Sequence, residues 1–210
     1  MSEDFIQGTP EWHQARLGKV TASRIADICA TIKNGDWGAS RKNYAAQLVC
    51  ERLTGTPTQG YVNAEMQWGT EHEADAKMAY EWVNGEPVVN VGFIPHPRIE
   101  MAGASPDGWV SEVGGLELKC PNSATHIETL LGGSIPNKYI LQCQWQMACK
   151  PGQLWVDYCS YDPRLPASMR LYVQTIKRDN SKIAELEKIV TSFLDEVDTM
   201  VSDLNKKFAA

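Results

Sequence analysis

Asp107, Glu117 and Lys119 are the residues whose types and spacing most clearly suit chemistry. They stand in Ser105-Pro106-Asp107-Gly108 and in Gly114-Gly115-Leu116-Glu117-Leu118-Lys119-Cys120-Pro121, a pattern P-D-x9-E-x-K. On a strand, residues two apart share a face, so Glu117 and Lys119 point one way while Leu116, Leu118 and Cys120 point into the core. A neighbouring carboxylate and ammonium can be a simple surface ion pair, which is worth little. Asp107 changes that reading, because a hairpin turning at Gly114 and Gly115 would set a second carboxylate beside the first. Two carboxylates give hard oxygen ligands to Mg²⁺, which keeps positions open for water and phosphate. A lysine beside them can orient or deprotonate the attacking water and stabilise charge developing on phosphate. The chemistry implied is metal-assisted hydrolysis of a phosphodiester.

Capping signals and periodicity set out the elements that must position these groups. Thr9-Pro10-Glu11 opens a short helix with Thr as N-cap and Pro in the first turn, and Thr21-Ala22-Ser23-Arg24 opens another reaching about Ala30. After a Gly-containing loop from Lys33 to Gly38, helices are expected over Ser40–Leu53, stopped by Gly55, and over Asn63–Val83, stopped by Gly85. Short strands follow at Val88–Ile94, Glu100–Ala104, Gly108–Val113 and Leu116–Cys120. Then come helices at Ser123–Leu131 and Asn137–Cys149, and strands at Leu154–Tyr161 and Met169–Ile176 separated by a turn at Asp162-Pro163-Arg164. The last segment, 180–210, is an amphipathic helix with Ile183, Leu186, Val190, Phe193, Val197, Met200 and Leu204 on one seam, suited to packing on its own domain or to an assembly contact. The order predicts an α/β (α+β) fold with a mixed central sheet flanked by helices, in a single domain over residues 1–210.

Composition narrows the classes. The chain has 210 residues, 43% hydrophobic and 22% charged, which excludes collagen-like and disordered chains. Its net charge of -6 argues against coating nucleic acid by bulk positive charge. The deficit is local, however: residues 61–120 hold ten acids against three Lys and Arg, and Glu73, Asp107 and Glu117 are among those acids. Six cysteines without CxxC spacing, behind an acidic Met1-Ser2-Glu3-Asp4 start, suggest a reduced, cytoplasmic chain with no secretory signal and no clustered metal ligands. No apolar run is long enough for a membrane span.

Five motifs occur in a fixed order: Trp12-His13-Gln14-Ala15-Arg16-Leu17-Gly18 with Thr21-Ala22-Ser23, Trp68-Gly69-Thr70-Glu71-His72-Glu73, Ser105-Pro106-Asp107-Gly108, Leu116-Glu117-Leu118-Lys119-Cys120-Pro121, and Gln142-Cys143-Gln144. In this order the chain resembles the lambda-type phage exonucleases, the viral alkaline exonuclease or viral recombinase family of the PD-(D/E)xK nucleases, from about Trp12 to Arg164. The resemblance implies a restriction-endonuclease-like core. It also implies a Mg²⁺-dependent, with Mn²⁺ substituting, 5'-to-3' exodeoxyribonuclease acting processively on linear duplex DNA to leave 3' overhangs. A homotrimeric ring, a single-strand annealing protein as recombination partner and a phage or prophage origin in a bacterial cytoplasm belong to the same expectation.

Carried over by position, Asp107, Glu117 and the Leu118 carbonyl are implied metal ligands, with Glu73 as a further acid. Lys119 is the implied catalytic lysine and Gln142 the active-site glutamine. Gly69, one turn before Glu73, would permit close approach of DNA or another backbone. Arg16, Ser23 and Ser105 match the family's 5'-phosphate positions: a bidentate guanidinium, a helix N-terminus and a hydroxyl. An arginine that the family can carry after the Leu-Glu-Leu-Lys-Cys-Pro run is replaced by Asn122-Ser123-Ala124-Thr125-His126, leaving His126 or another base to substitute. Met66 aligns with an apolar strand-separating wedge, and Lys33 and Trp37 could enter a DNA groove from their loop. Trp12 and Trp68 are expected to be packing residues. Two other readings stay open: an endonuclease or junction resolvase on the same core, and a non-catalytic DNA-end-binding module.

Overall fold

Thr9 accepts the Trp12 amide at 3.3 Å and Pro10 opens α1 (Pro10–Arg16), as its sequence signals require. The computed structural model describes residues 6–33, 35–58 and 63–208; the acidic start at residues 1–5 and the last two residues of the expected C-terminal helix lie outside them. Beyond α1 the chain passes through β1 (Val20–Thr21), α2 (Ile25–Cys29), α3 (Ala39–Thr54) and α4 (Ala64–Asn84). Gly55 (φ 63°) and Gly85 (φ 75°) end α3 and α4 in the left-handed conformation, where a Cβ would be strained. Asn63 caps α4 by accepting the Met66 amide at 2.8 Å.

The strands β2 (Val88–Val89), β3 (Ile94–Pro95), β4 (Ala102–Ala104), β5 (Gly108–Val110) and β6 (Gly114–Lys119) follow. Next come α5 (Ser123–Leu130), α6 (Asn137–Cys149), β7 (Trp155–Tyr161), β8 (Leu171–Lys177) and α7 (Asn180–Phe208). The main sheet runs β2-β5-β6-β7-β8, with β6 and β7 parallel and the other pairs antiparallel, so it is mixed as expected. A small second sheet runs β1-β4-β3.

Three strand-region expectations need correction. Gly114 and Gly115 do not form the hairpin turn; they begin β6, and the turn falls at Ser111–Val113, with Ser111 at φ 60°. Packing explains the glycines, since a Cβ on Gly114 would meet the Trp155 ring and one on Gly115 would meet the Gln153 amide. The expected strand Val88–Ile94 is two strands in different sheets, Val89 pairing with Trp109 and Ile94 with Ala104. Thr21 ends strand β1 rather than capping a long helix, because Val20 and Thr21 pair with Ala102 and Gly103; a 3₁₀ turn at Ala22–Arg24 then leads into α2.

The sheet is covered on both faces. On one face Ala76 and Tyr80 of α4 pack on Val110, Leu116, Leu118, Cys159 and Tyr161. On the other, α6 and α7 join α2 and α3 over Val156 in the larger core. Five seam residues of α7 (Ile183, Leu186, Val190, Phe193 and Val197) are buried there, whereas Met200 and Leu204 are 41% and 37% exposed beyond its edge. Strand β6 therefore sits inside the molecule with its C-terminal end emerging between α4 and α6. No described helix is long and apolar enough to cross a membrane.

Candidate active site

Glu117 is buried on the α6 face of β6, and three polar side chains converge on it. Gln142 Nε2 donates to Oε1 at 2.6 Å, and Gln146, one helical turn on, donates to Oε2 at 2.5 Å. Lys119, on the same face of β6, donates its ammonium to Oε1 and lies 5.4 Å from the ring centre of Tyr139. Burial alone would lower the lysine's pKa, but Glu117 and Asp107 outweigh it and raise the pKa above its ordinary value. Lys119 thus stays charged, which suits orienting water and meeting charge on phosphate better than accepting a proton.

Asp107 reaches the same strand end from the other side of the hairpin. The β5–β6 ladder stops at Gly108 opposite Leu116. One pair further on, Asp107 Oδ2 takes the place of a strand partner and accepts the Leu118 amide at 2.6 Å. A strand residue turns its N–H and C=O to the same edge, so the Leu118 carbonyl faces the Asp107 side as well. Burial, then the Glu117 carboxylate, raises the Asp107 pKa well above the usual carboxylate range; Lys119 opposes the rise and Glu73 adds to it. Acids crowded this way, with Lys119 as the opposing charge, disfavour a negative charge on Asp107.

Helix α4 brings Glu73 to the wall of the cavity that Asp107 also lines. Lys77, one turn after Glu73, donates to the Asp107 carbonyl at 2.9 Å and to Asn90 Oδ1 at 2.6 Å, tying α4 to the start of β5. Tyr80 donates to the buried Asp157 at 2.7 Å. Near the helix start the Trp68 ring lies between His72, with ring centres 3.8 Å apart, and the Arg164 guanidinium at 4.2 Å. Arg164 in turn pairs with buried Asp162, which also accepts the Ser123 hydroxyl at 2.6 Å.

Glu73, Asp107, Leu118 and Lys119 line one open cavity of about 610 Å³. Gly69 lines it too, and nothing lies within 4 Å of where its Cβ would be, so the space is open rather than filled by another backbone. Among the described residues, no three His, Cys, Asp or Glu side chains form a ready-made metal cage. The donors fit a hard cation of the Mg²⁺ type nonetheless, since such ions are held by one or two carboxylates and complete their shell with water and substrate phosphate. Asp107, Glu117 and the Leu118 carbonyl are all hard oxygen donors of that kind.

A second cavity, of about 330 Å³, is lined by Arg16, Ser23, Lys19 and Arg24. Met66, 55% exposed, belongs to the walls of both cavities. Ser105 Oγ accepts from Arg16 at 3.2 Å and from Trp12 Nε1 at 3.0 Å, and the Arg16 guanidinium stacks 3.8 Å over the Trp12 ring. Burial pushes the Arg16 pKa down. Trp12 is therefore a wall of this pocket and not only a packing residue. Ser23 is exposed within the 3₁₀ turn, not in the first turn of a long helix.

Other expected residues lie elsewhere. Lys33 is exposed, and Trp37 is covered by the Arg41 guanidinium at 4.0 Å; neither lines these two cavities, and the neighbouring position 34 is outside the described residues. His126 cannot replace the family arginine: it is fully buried, with Nδ1 2.7 Å from Ser160 Oγ and Nε2 2.8 Å from the Met169 carbonyl. Sequence reasoning also missed Gln146 and Lys77. Each stands four residues after a recognised site residue on the same helix, a spacing that places both on one face and could have found them.

Comparison with known proteins places the chain in a family and matches its fold. The YqaJ-like viral recombinase domain matches residues 11–152. The structure of an alkaline exonuclease (LHK-Exo) from Laribacter hongkongensis is 49% identical, the match covering 96% of this chain and 98% of that one with a TM-score of 0.88. LHK-Exo in complex with dAMP matches at the same identity and coverage with a TM-score of 0.89. A phage related exonuclease from Haemophilus somnus 129PT shares the fold, with 18% identity over 89% of this chain and 96% of that one and a TM-score of 0.66. No curated protein gives a significant match. With the domain spanning more than half of the sequence and a relative this similar over nearly its whole length, the chain belongs to the YqaJ-like viral recombinase family.

Proposed function

We propose that this protein is a Mg²⁺-dependent exodeoxyribonuclease that degrades one strand of linear duplex DNA from a 5'-phosphorylated end, leaving a 3' single-stranded overhang. The observation that carries the reading is the meeting of Asp107, Glu117 and Lys119 at the end of β6, where Asp107 and Lys119 line the larger cavity with Glu117 buried behind them, next to the second cavity lined by Arg16, whose guanidinium is held by Ser105. LHK-Exo, an alkaline exonuclease, binds dAMP, and a deoxynucleoside monophosphate is the product class of such hydrolysis.

Asp107, Glu117 and the Leu118 carbonyl would hold the cation, with Glu73 as a further acid. When bound, Mg²⁺ lowers the pKa of coordinated water and offsets charge on the scissile phosphate. Arg16, Ser23 and Ser105 would receive the terminal 5' phosphate, the guanidinium by paired donors. Met66 would part the end base pair between the two cavities. Water attacks phosphorus in line with the departing 3' oxygen and gives up its proton to solvent as the new P–O bond forms; the P–O3' bond breaks, and the departing oxygen takes up a proton from solvent to leave a 3' hydroxyl. Charged Lys119 orients that water and meets the charge gathering on the phosphoryl oxygens. Gln142 and Gln146 fix the Glu117 carboxylate while this happens.

The wider reading, resting on family membership, is a processive homotrimeric ring working with a single-strand annealing protein in phage recombination, in the cytoplasm of a bacterial host. Enclosure of the duplex by a ring would reconcile net negative charge with tight retention of DNA. Mn²⁺ is expected to replace Mg²⁺. The test is topological: with Mg²⁺, linear duplex should be consumed while covalently closed circular duplex of the same sequence survives. Nicked or linearised circles would instead favour an endonuclease on the same core, and intact linear DNA would remove the enzymatic reading.

A further inference from the structure

We infer that Lys138 is a DNA-backbone contact of this site, taking a phosphate of the strand being cut on the side of the acids away from the Arg16 pocket. The assignment rests on the exodeoxyribonuclease reading and adds a residue to it. The charged side chains lining the larger cavity are Glu65, Glu73, Asp107, Lys119 and Lys138. Lys119 is committed to Glu117. Lys138 is exposed, and among the described residues no carboxylate pairs with it. Among the described residues it is therefore the lining cation left to meet a polyanion entering a cavity whose acids would otherwise repel it.

Its placement follows from α6. Lys138 stands in the first turn of that helix and precedes Gln142 by four residues, so both lie on the helix face turned toward Glu117. The Lys138 ammonium is 4.7 Å from the Tyr139 ring centre, and the Lys119 ammonium is 5.4 Å from the same ring. Tyr139 is itself stacked on Tyr158 of β7, with ring centres 5.4 Å apart. One aromatic platform anchored on the sheet thus carries two ammonium groups at the cavity wall, an arrangement that like charges favour when an anion lies between them. Lys119 faces the scissile phosphate, so the phosphate left for Lys138 is a neighbour along the same strand. His126 is buried and does not line this cavity, so it offers no competing cation there.

The test is the salt dependence of binding to 5'-phosphorylated linear duplex in metal-free buffer, where the strand is not cut. Each phosphate contact contributes about 0.9 to the slope of log affinity against log salt. Lys138→Ala should flatten the slope by about one contact and weaken binding several-fold, alike for every sequence, and Lys138→Arg should restore the slope. Lys188→Ala, the same charge change on the outer side of α7, serves as the control and should leave the slope unaltered. A Lys138→Ala slope equal to that of wild type and Lys188→Ala overturns the assignment. If the wild-type protein does not bind linear duplex in this buffer, digestion of the same duplex with Mg²⁺ tells the two failures apart: cleavage without metal-free binding overturns the Lys138 assignment, and no cleavage removes the exodeoxyribonuclease reading on which it rests.

Discussion

Gln146 donates its side-chain amide to Oε2 of the buried Glu117 at 2.5 Å, completing the set of donors that Gln142 and Lys119 begin on the other oxygen. A carboxylate this deeply buried needs a partner on each oxygen, since a charged acceptor left without one costs more than a neutral group. Gln146→Leu keeps the volume and removes the donor. It is expected to destabilise the protein by about 1–3 kcal/mol and to lower nuclease activity by loosening the Glu117 carboxylate. Denaturant melts beside turnover assays check this, and a variant with wild-type values in both would show that Gln142 and Lys119 suffice.

Asp107→Asn separates stability from function. The raised Asp107 pKa means that the folded, metal-free protein holds a proton the unfolded chain releases. Stability therefore falls as pH rises from the ordinary carboxylate range through the raised value. The neutral amide removes the repulsion from Glu117 and Glu73. In metal-free buffer at pH 8 the variant should melt no lower than wild type, with an advantage that shrinks toward pH 5, while cleavage is lost. Added Mg²⁺ should raise the Tm of wild type and leave that of the variant unmoved. Residual full activity, or an equal Mg²⁺ shift in both proteins, would count against Asp107 as a ligand.

Asp162 behaves in the opposite sense. Burial would raise its pKa, but hydrogen bonds from the Arg164 side chain, the Ser123 hydroxyl and the Arg164 amide bring it down to about 2 from an ordinary 3.8. Its contribution is complete above the ordinary value and is lost as pH falls toward about 2. Allowing for solvent around the part-exposed Arg164, Asp162→Asn should cost about 1–2 kcal/mol at pH 7 and about half as much at pH 3. Urea melts at the two pH values measure the difference, and a cost independent of pH would refute the ionic account.

Much of this arrangement was legible in local sequence signals and some was not. The Thr9, Asn63, Gly55 and Gly85 boundaries are set by caps acting within one turn, and the structure keeps them. Asp107, Glu117 and Lys119 could be grouped because the strand period and one short hairpin bring them together. The role of Gly114 and Gly115 was not legible, because it depends on Trp155 and Gln153, some forty residues away in sequence. His126 looked like a free base for the same reason: its partners Ser160 and Met169 come from a distant strand and turn. The pocket role of Trp12 was not legible because its hydrogen bond runs to Ser105, 93 residues on in the sequence.

Gly69 offers a test of space rather than charge. A Cβ there meets nothing within 4 Å, so Gly69→Ala should stabilise α4 by about 1 kcal/mol, the usual difference between the two residues in a helix. Gly69→Leu should fold as well yet cut activity, because its side chain would stand in the cavity beside Glu73. Equal activity in the Leu variant would mean that substrate does not pass this wall.

The most direct measurement is digestion of linear duplex labelled at either strand end, with and without a 5' phosphate, in the presence of Mg²⁺. The account predicts rapid release of labelled mononucleotide from the 5'-phosphorylated end, late release of the 3' label on the same strand, and slow attack on ends that lack the phosphate. Early loss of the 3' label, or equal attack on phosphorylated and unphosphorylated ends, would contradict it.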